Sequence, residues 1–370
     1  MKTLKKIFFL LFQSIFKIKR KFLKPTLPEN PKKILLIRND HLGDFILSLS
    51  TIASIKKTFP DAKITLYINK SCKDLLCFFN LADDIIFFDA KHPIKSRIAA
   101  WFKILKTKYN LSIELCCGNT WKNAVLCFLA LIPCRLGFEI KNYSFLFTHT
   151  IPVETLHCYE EDITFKIAKF LSKDAKKENF KPTFDLEENK KYQKILKSKG
   201  INESDFIIGM HISVATNNPK KAWDPNNFAE LTNKIKQKFP LVKIVLIGTK
   251  DDYSLFEKFK ENLAVDVVSF IGETSLKDTI YLMNFFKLFI CNNSGPLQIA
   301  TMLSLNCVVV NGPSSAVRWI PPNSKNHIVI KKELDCNKID CQPKVCPKDY
   351  FCIKGISVEE VYEAVANYLS

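Results

Sequence analysis

Ile34-Leu35-Leu36-Ile37, then Arg38-Asn39-Asp40-His41-Leu42-Gly43-Asp44, a helical pattern, Phe59-Pro60 and finally Lys63-Ile64-Thr65-Leu66-Tyr67-Ile68 form the stretch that decides the fold. It reads as strand, glycine turn, helix and second strand, with charged groups crowded into the first crossover. In parallel α/β sheets ligands bind at that crossover, beyond the carboxyl end of the strand. Gly43 lets the backbone turn closely. Asp44 falls in the first helical turn, where the positive end of the helix favours a carboxylate. Asp44 is therefore the first candidate for chemistry.

Outward from this unit, strands are predicted near 34–37, 63–68, 84–88 and 111–115, with helices near 44–57, 95–107 and 120–131. Such alternation predicts a parallel sheet. A polar, lysine-rich stretch from Lys173 to Lys199, containing Pro182, puts a domain boundary near residue 180. Apolar runs resume at Phe206–His211, Val242–Gly248, Leu288–Cys291 and Cys307–Val310. Residues 56–66 also echo residues 236–246 at a fixed offset of 180, each ending a helix, turning at proline and entering a strand. The expected fold is α/β: two Rossmann-like, doubly wound lobes, residues 31–180 and 181–356, facing across a cleft. A last helix in 357–370 is expected to pack back on the first lobe.

The 370 residues are 47% hydrophobic and 12% aromatic, ample for packed cores, so disorder is not expected. Lysine and arginine number 55 against 37 acids, a surplus of 18 that favours anionic partners. Zinc-finger, RNA-recognition and zipper patterns do not accompany it, so nucleic acid is not an expected partner. The 13 cysteines are an odd set, and Cys72, Cys77, Cys116, Cys117, Cys127, Cys291 and Cys307 sit in apolar runs. That usage predicts buried reduced thiols and a cytoplasmic chain. Residues 1–30 form a basic tail, with Lys2, Lys5, Lys6, Lys17, Lys19, Arg20, Lys21 and Lys24 around an apolar run from Ile7 to Phe12 that continues through Ile15 and Phe16. The run is shorter than the roughly 20 residues that cross a bilayer, and no small-residue cleavage site follows it. It predicts an amphipathic helix on an anionic membrane surface; a tail docked on its own domain is the plainer alternative.

Three loops of the second lobe fall at successive strand ends. After His211 come Ser213, Thr216, Lys220 and Lys221, then Trp223-Asp224-Pro225, with Pro225 suited to open a helix. Hydroxyls, backbone N–H groups and a lysine can hold phosphate; the same loop also reads as a solvated turn anchored by Trp223. After Cys291 come Asn292-Asn293-Ser294-Gly295-Pro296-Leu297-Gln298, where Ser294 is expected to cap a helix and Gly295 to admit an anion. A plain capping turn fits equally well. Asn311-Gly312-Pro313 through Arg318-Trp319 offers a third turn.

Taken in order, these segments resemble glycosyltransferase family 9, the heptosyltransferase family of lipopolysaccharide core assembly. The resemblance spans about residues 33–366 and rests on Arg38, Asp40, Gly43 and Asp44; Lys221-Ala222-Trp223; Ile271-Gly272-Glu273-Thr274-Ser275-Leu276; Asn293 through Ala300; and Gly312-Pro313 with Trp319. It implies a GT-B fold, inversion at the sugar carbon and no cofactor required for catalysis. It casts Asp44 as the general base toward the acceptor hydroxyl. Ser213, Lys221, Asn293, Ser294, Gly295 and Gln298 become donor-binding residues, and Asp252 a ribose-binding carboxylate. The family usually carries aspartate at Asn293 and histidine at Gln298, so charge and titration are lost there. The implied partners are a nucleotide-activated sugar, ADP-heptose, and a lipid-linked oligosaccharide acceptor, met at the inner face of the inner membrane. Arg97, Asn119 and Lys122 carry no transferable acceptor pattern.

Cys336, Cys341, Cys346 and Cys352, separated by four, four and five residues, are the right number for a tetrahedral structural metal. Their spacing is looser than paired Cys-x-x-Cys ribbons, and relatives include four-cysteine iron proteins. Structural zinc or iron is one expectation there, free thiols or a fortuitous disulfide the others. The functional alternatives are a heptosyltransferase that modifies autotransporter proteins and a nucleotide-sugar-binding homologue without turnover.

Overall fold

The computed structural model describes residues 25–118, 121–139, 144–178, 180–214, 221–336, 341 and 346–370. The basic tail before residue 25 and the loop centre at 215–220 lie outside the described residues. The chain divides into two units: the first ends at Phe180 and omits only Cys77–Phe79, which belong with Lys181–Ser370 in the second.

In the first unit the strands are β1 (Lys33–Arg38), β2 (Lys63–Asn69), β3 (Asp84–Phe88), β4 (Leu111–Glu114), β5 (Cys134–Glu139) and β6 (His149–Pro152). Its helices are α1 (Leu42–Ile46), α2 (Leu49–Thr58), α3 (Pro93–Thr107), α4 (Trp121–Leu129) and α5 (Glu160–Leu171). The sheet runs β3-β2-β1-β4-β5-β6, and every pairing is parallel. The single helix expected over 44–57 is two. Leu47 closes α1, and the buried Ser48 hydroxyl donates to the Phe45 carbonyl at 2.7 Å before α2 begins. A serine bonding back to the preceding turn competes with helical continuation.

The second unit repeats the plan with β7 (Ile207–His211), β8 (Lys243–Leu246), β9 (Val268–Ser269), β10 (Leu288–Asn292), β11 (Asn306–Val310) and β12 (His327–Ile330). Helices α6 (Leu186–Ser198), α7 (Pro225–Lys238), α8 (Tyr253–Glu261), α9 (Leu276–Met283), α10 (Gly295–Met302), α11 (Ala316–Trp319), α12 (Phe351–Lys354) and α13 (Val358–Leu369) accompany them. The order β12-β11-β10-β7-β8-β9 is the first sheet's order with each strand replaced by its counterpart, again all parallel. The sequence echo has a structural counterpart. Phe59 closes α2 at φ −126°, ψ 69°, and Phe239 closes α7 at φ −126°, ψ 71°; each N–H is donated to an isoleucine carbonyl four residues earlier. Both turns then enter the second strand of their sheet.

Helix α13 packs on α7 and β11 within the second unit, where Val358, Val361, Ala364 and Val365 join that unit's core. A Ser357–Glu360 capping box fixes its start. Cys77 is also exposed, not buried, whereas Cys72, Cys116, Cys117, Cys127, Cys291 and Cys307 are buried.

Candidate active site

Sheets of this order switch direction between the first and fourth strands, and the loops beyond those strand ends form the binding edge. In the first unit these are the loops after β1 and β4. Arg38 ends β1 with its side chain fully buried. Its Nε donates to the Asp44 carbonyl at 3.0 Å and its Nη1 to the Leu115 carbonyl just past β4. Its Nη2 donates to Glu160 Oε1 at 2.9 Å and to Asp44 Oδ1 at 3.3 Å, while Asp40 Oδ1 lies 3.3 Å from Nε. Burial opposes the guanidinium charge, but the surrounding carboxylates outweigh it and hold the pKa above its ordinary value. One arginine thus joins β1, the end of β4 and the start of α5.

Asp44 sits in the first turn of α1, as the glycine turn predicts. Its side chain keeps 16% exposure. Burial first, then the charge of Asp40, pushes its pKa up to about 6, with Arg38 pulling the other way and Glu160 adding to the rise. A carboxylate tuned toward neutrality is a stronger proton acceptor than an ordinary aspartate. Next to Arg38 in sequence, Asn39 exchanges amide hydrogen bonds of 3.1 and 2.9 Å with Asn123. Glu114, fully buried, is pushed up to about 8 by burial despite hydrogen bonds from Cys116 and Asn123. At neutral pH Glu114 is therefore held protonated, which spares the cluster a further negative charge.

In the second unit the corresponding loops follow β7 and β10. Ser213 is buried, with Oγ 3.2 Å from His211 Nε2, and burial lowers the His211 pKa so that the imidazole is neutral. Asn292, fully buried at the end of β10, accepts from the Trp223 N–H at 2.9 Å and donates to the Ser213 carbonyl at 3.3 Å. It holds the two ends of the hydroxyl and lysine loop together, with half-buried Lys221 two residues before Trp223. Trp223 is the packing anchor, its indole donating to the Ile356 carbonyl at 2.9 Å.

Ser294 occupies the N-cap of α10, yet its hydroxyl makes no capping bond and is buried without a partner, a correction to the expected cap. A Cβ built on Gly295 would meet nothing within 4 Å, so protein packing does not demand glycine there and the space over the helix start is open. Asn293 donates to Asn311 Oδ1 at 2.7 Å, and buried Gln298 donates to the Trp319 carbonyl at 2.7 Å. Both side chains are thus partly taken up by the third loop. Asp252 is buried and accepts from the Thr249 N–H at 2.7 Å and hydroxyl at 3.0 Å in a capping box.

The model of glycosyltransferase family 9 (heptosyltransferase) matches residues 98–349. The chain belongs to this family. A Campylobacter jejuni protein named lipooligosaccharide heptosyltransferase 2 is 22% identical over 344 residues, 91% of this chain and 98% of that one. A family 9 glycosyltransferase structure from Veillonella parvula superposes with a TM-score of 0.77 at 21% identity, covering 93% of this chain and 98% of the other. The E. coli ADP-heptose lps heptosyltransferase II structure gives 0.72 at 20% identity, covering 91% and 98%. The fold is GT-B.

Within this family 9 glycosyltransferase, sequence reasoning missed Glu160, Glu114 and Asn292. Glu160 lies 122 residues from Arg38, beyond any local pattern. Asn292 adjoined a motif already singled out, and its place as the last residue of a buried strand was the available signal. The Ile271–Leu276 motif proves architectural: Gly272 has φ +72° against Tyr253, and Ser275 and Asp278 form the capping box of α9.

The four carboxyl-terminal cysteines are exposed (Cys336) or half-buried (Cys341, Cys346, Cys352). Burial raises the Cys352 pKa, and the charges of Cys346, Cys341 and Cys336 raise it further. Among the described residues no three or more His, Cys, Asp or Glu side chains are arranged to hold a metal. The donor chemistry, four soft thiols, suits zinc or iron.

Proposed function

We propose that this glycosyltransferase moves a heptose from ADP-heptose to a lipopolysaccharide core acceptor with inversion at the anomeric carbon. The observation that carries the reading is Asp44: a partly exposed carboxylate with pKa near 6, at the loop after the first strand, braced by Arg38. The acceptor oxygen bonds to the anomeric carbon as the bond to the ADP oxygen breaks. Asp44 takes the acceptor proton as that bond forms. Charge developing on the departing diphosphate is met by Lys221, the Ser213 hydroxyl, and the free hydroxyl and N–H groups of Ser294 and Gly295 at the start of α10. Asn293 and Gln298 shape the donor pocket through the third loop, and Asp252 serves the ribose. The names of the relatives support the donor and acceptor. No helix among the described residues is long and apolar enough to cross a membrane; the basic tail is the proposed contact with the cytoplasmic face of the inner membrane.

ADP release is to be measured with ADP-heptose and truncated lipopolysaccharide. Asp44→Asn is expected to lower kcat by about 10²–10⁴-fold with ADP affinity little changed. An unimpaired variant removes the base assignment. Turnover confined to a protein acceptor favours the protein-modifying alternative, and donor binding without ADP release the non-catalytic one.

The same reading takes Cys336, Cys341, Cys346 and Cys352, which are not gathered as a closed site among the described residues, as ligands that one structural zinc or iron ion would draw together before α13. Elemental analysis of purified protein should give close to one equivalent, lost in a Cys346→Ser, Cys352→Ser variant. Metal-free protein as purified overturns this part.

A further inference from the structure

Helices α3 and α4 of the first unit leave an apolar groove that neither the base cluster nor the donor loops use. Ile94 is 76% exposed, Ile98 and Leu129 are 53% exposed, and with Trp121 and Val125 they line a cavity of about 760 Å³. Apolar surface gathered in one place marks an interaction site more often than scattered exposure does. Two features say what kind of partner fits. Arg97 Nε and Trp101 Nε1, both from α3 and both lining this groove, are buried without a hydrogen-bond partner. Donors left unmet in an apolar setting are costly, so an occupant that brings acceptor oxygens as well as apolar surface is favoured here. The groove also carries cations: the Arg97 guanidinium lies 4.4 Å over the Phe88 ring, and the Lys122 ammonium 5.8 Å from the Trp121 ring.

A second copy of this helix pair would bring apolar side chains but no spare acceptors, because interior helical carbonyls are already bonded. An acylated lipid brings all three elements: a chain for the apolar walls, carbonyl oxygens for the two donors, and a phosphate for Arg97 and Lys122. We infer that this groove seats an acyl chain of an anionic lipid from a bilayer leaflet, with Trp121 at the interface. The inference goes beyond the transferase reading and holds whatever the donor sugar is.

The four tryptophans of the chain make it testable, since Trp101 and Trp121 line the groove while Trp223 is buried. The full-length protein is titrated with phosphatidylglycerol–phosphatidylcholine vesicles whose acyl chains are brominated, with unbrominated vesicles as reference. The expected result is severalfold stronger quenching by brominated than by unbrominated chains. That difference disappears in the Trp101→Phe, Trp121→Phe double variant and falls at least threefold in Ile98→Glu, whose exposed position leaves folding intact by circular dichroism. Vesicle binding without bromine quenching, or quenching that survives the double variant, overturns it, since contact then lies elsewhere, for instance at the basic tail. Concentration-dependent dimerisation abolished by Ile98→Glu also overturns it and assigns the groove to a second copy.

Discussion

At the scale of single residues, the site turns on how one carboxylate escapes neutralisation. Arg38 is bonded to Asp44, which alone would depress the aspartate, yet the same guanidinium serves Asp40 and Glu160. Shared three ways and buried, it cannot offset desolvation, and Asp44 stays near 6. In its proposed role as base Asp44 acts ionised, so kcat/KM should rise tenfold per pH unit below about 6 and level off above it. Glu160→Gln removes one negative neighbour and leaves more of Arg38 to Asp44, so the midpoint should move down with the plateau rate lowered. A midpoint that stays in place would mean Glu160 only fastens α5. Asp44 was legible from sequence because a glycine turn between strand and helix is a local pattern. Glu160, which shares Arg38 with it, was not, because the two meet only after β4, β5 and β6 have been laid into the sheet.

At the scale of elements, strands that are unbroken apolar runs declared themselves, and those interrupted by polar residues or glycine, or only a few residues long, did not. β1, β2, β4, β7, β10 and β11 are apolar runs covered by helices, the composition of an interior parallel strand. β5 and β6 were missed because Cys134–Glu139 carries Arg135 and Gly137, and His149–Pro152 is four residues long with a proline. β9 has two residues and β12 is only half-buried. Strand order was beyond local pattern altogether, since it is set by which neighbours each crossover reaches. One close fit can be tested in β7, where a Cβ on Gly209 would fall 2.0 Å from the Phe286 ring. Gly209→Ala should cost about 1–3 kcal/mol by overpacking, read as a lower urea midpoint at unchanged slope. An unchanged midpoint would mean that the Phe286 ring moves aside freely.

At the scale of the whole molecule, stability carries the imprint of the buried acids. Glu114 is held near 8 against an ordinary 4.5, and Asp44 near 6 against 3.8. In each case the folded chain binds the proton more tightly than the unfolded chain. Their contribution is complete below the ordinary value and is lost as pH rises through the folded one. Thermal stability should therefore decline between roughly pH 4 and 8, and Glu114→Gln should flatten the part between 4.5 and 8. A parallel decline in that variant would exclude Glu114 as the source. The open space over Gly295 points the other way. With ordinary backbone angles and no atom near a built Cβ, alanine there should be tolerated and, by helix preference, slightly favoured. A library screened for heat resistance would enrich that methyl group unopposed, and under the donor role proposed for Gly295 its penalty would surface only when survivors were asked to hold a diphosphate.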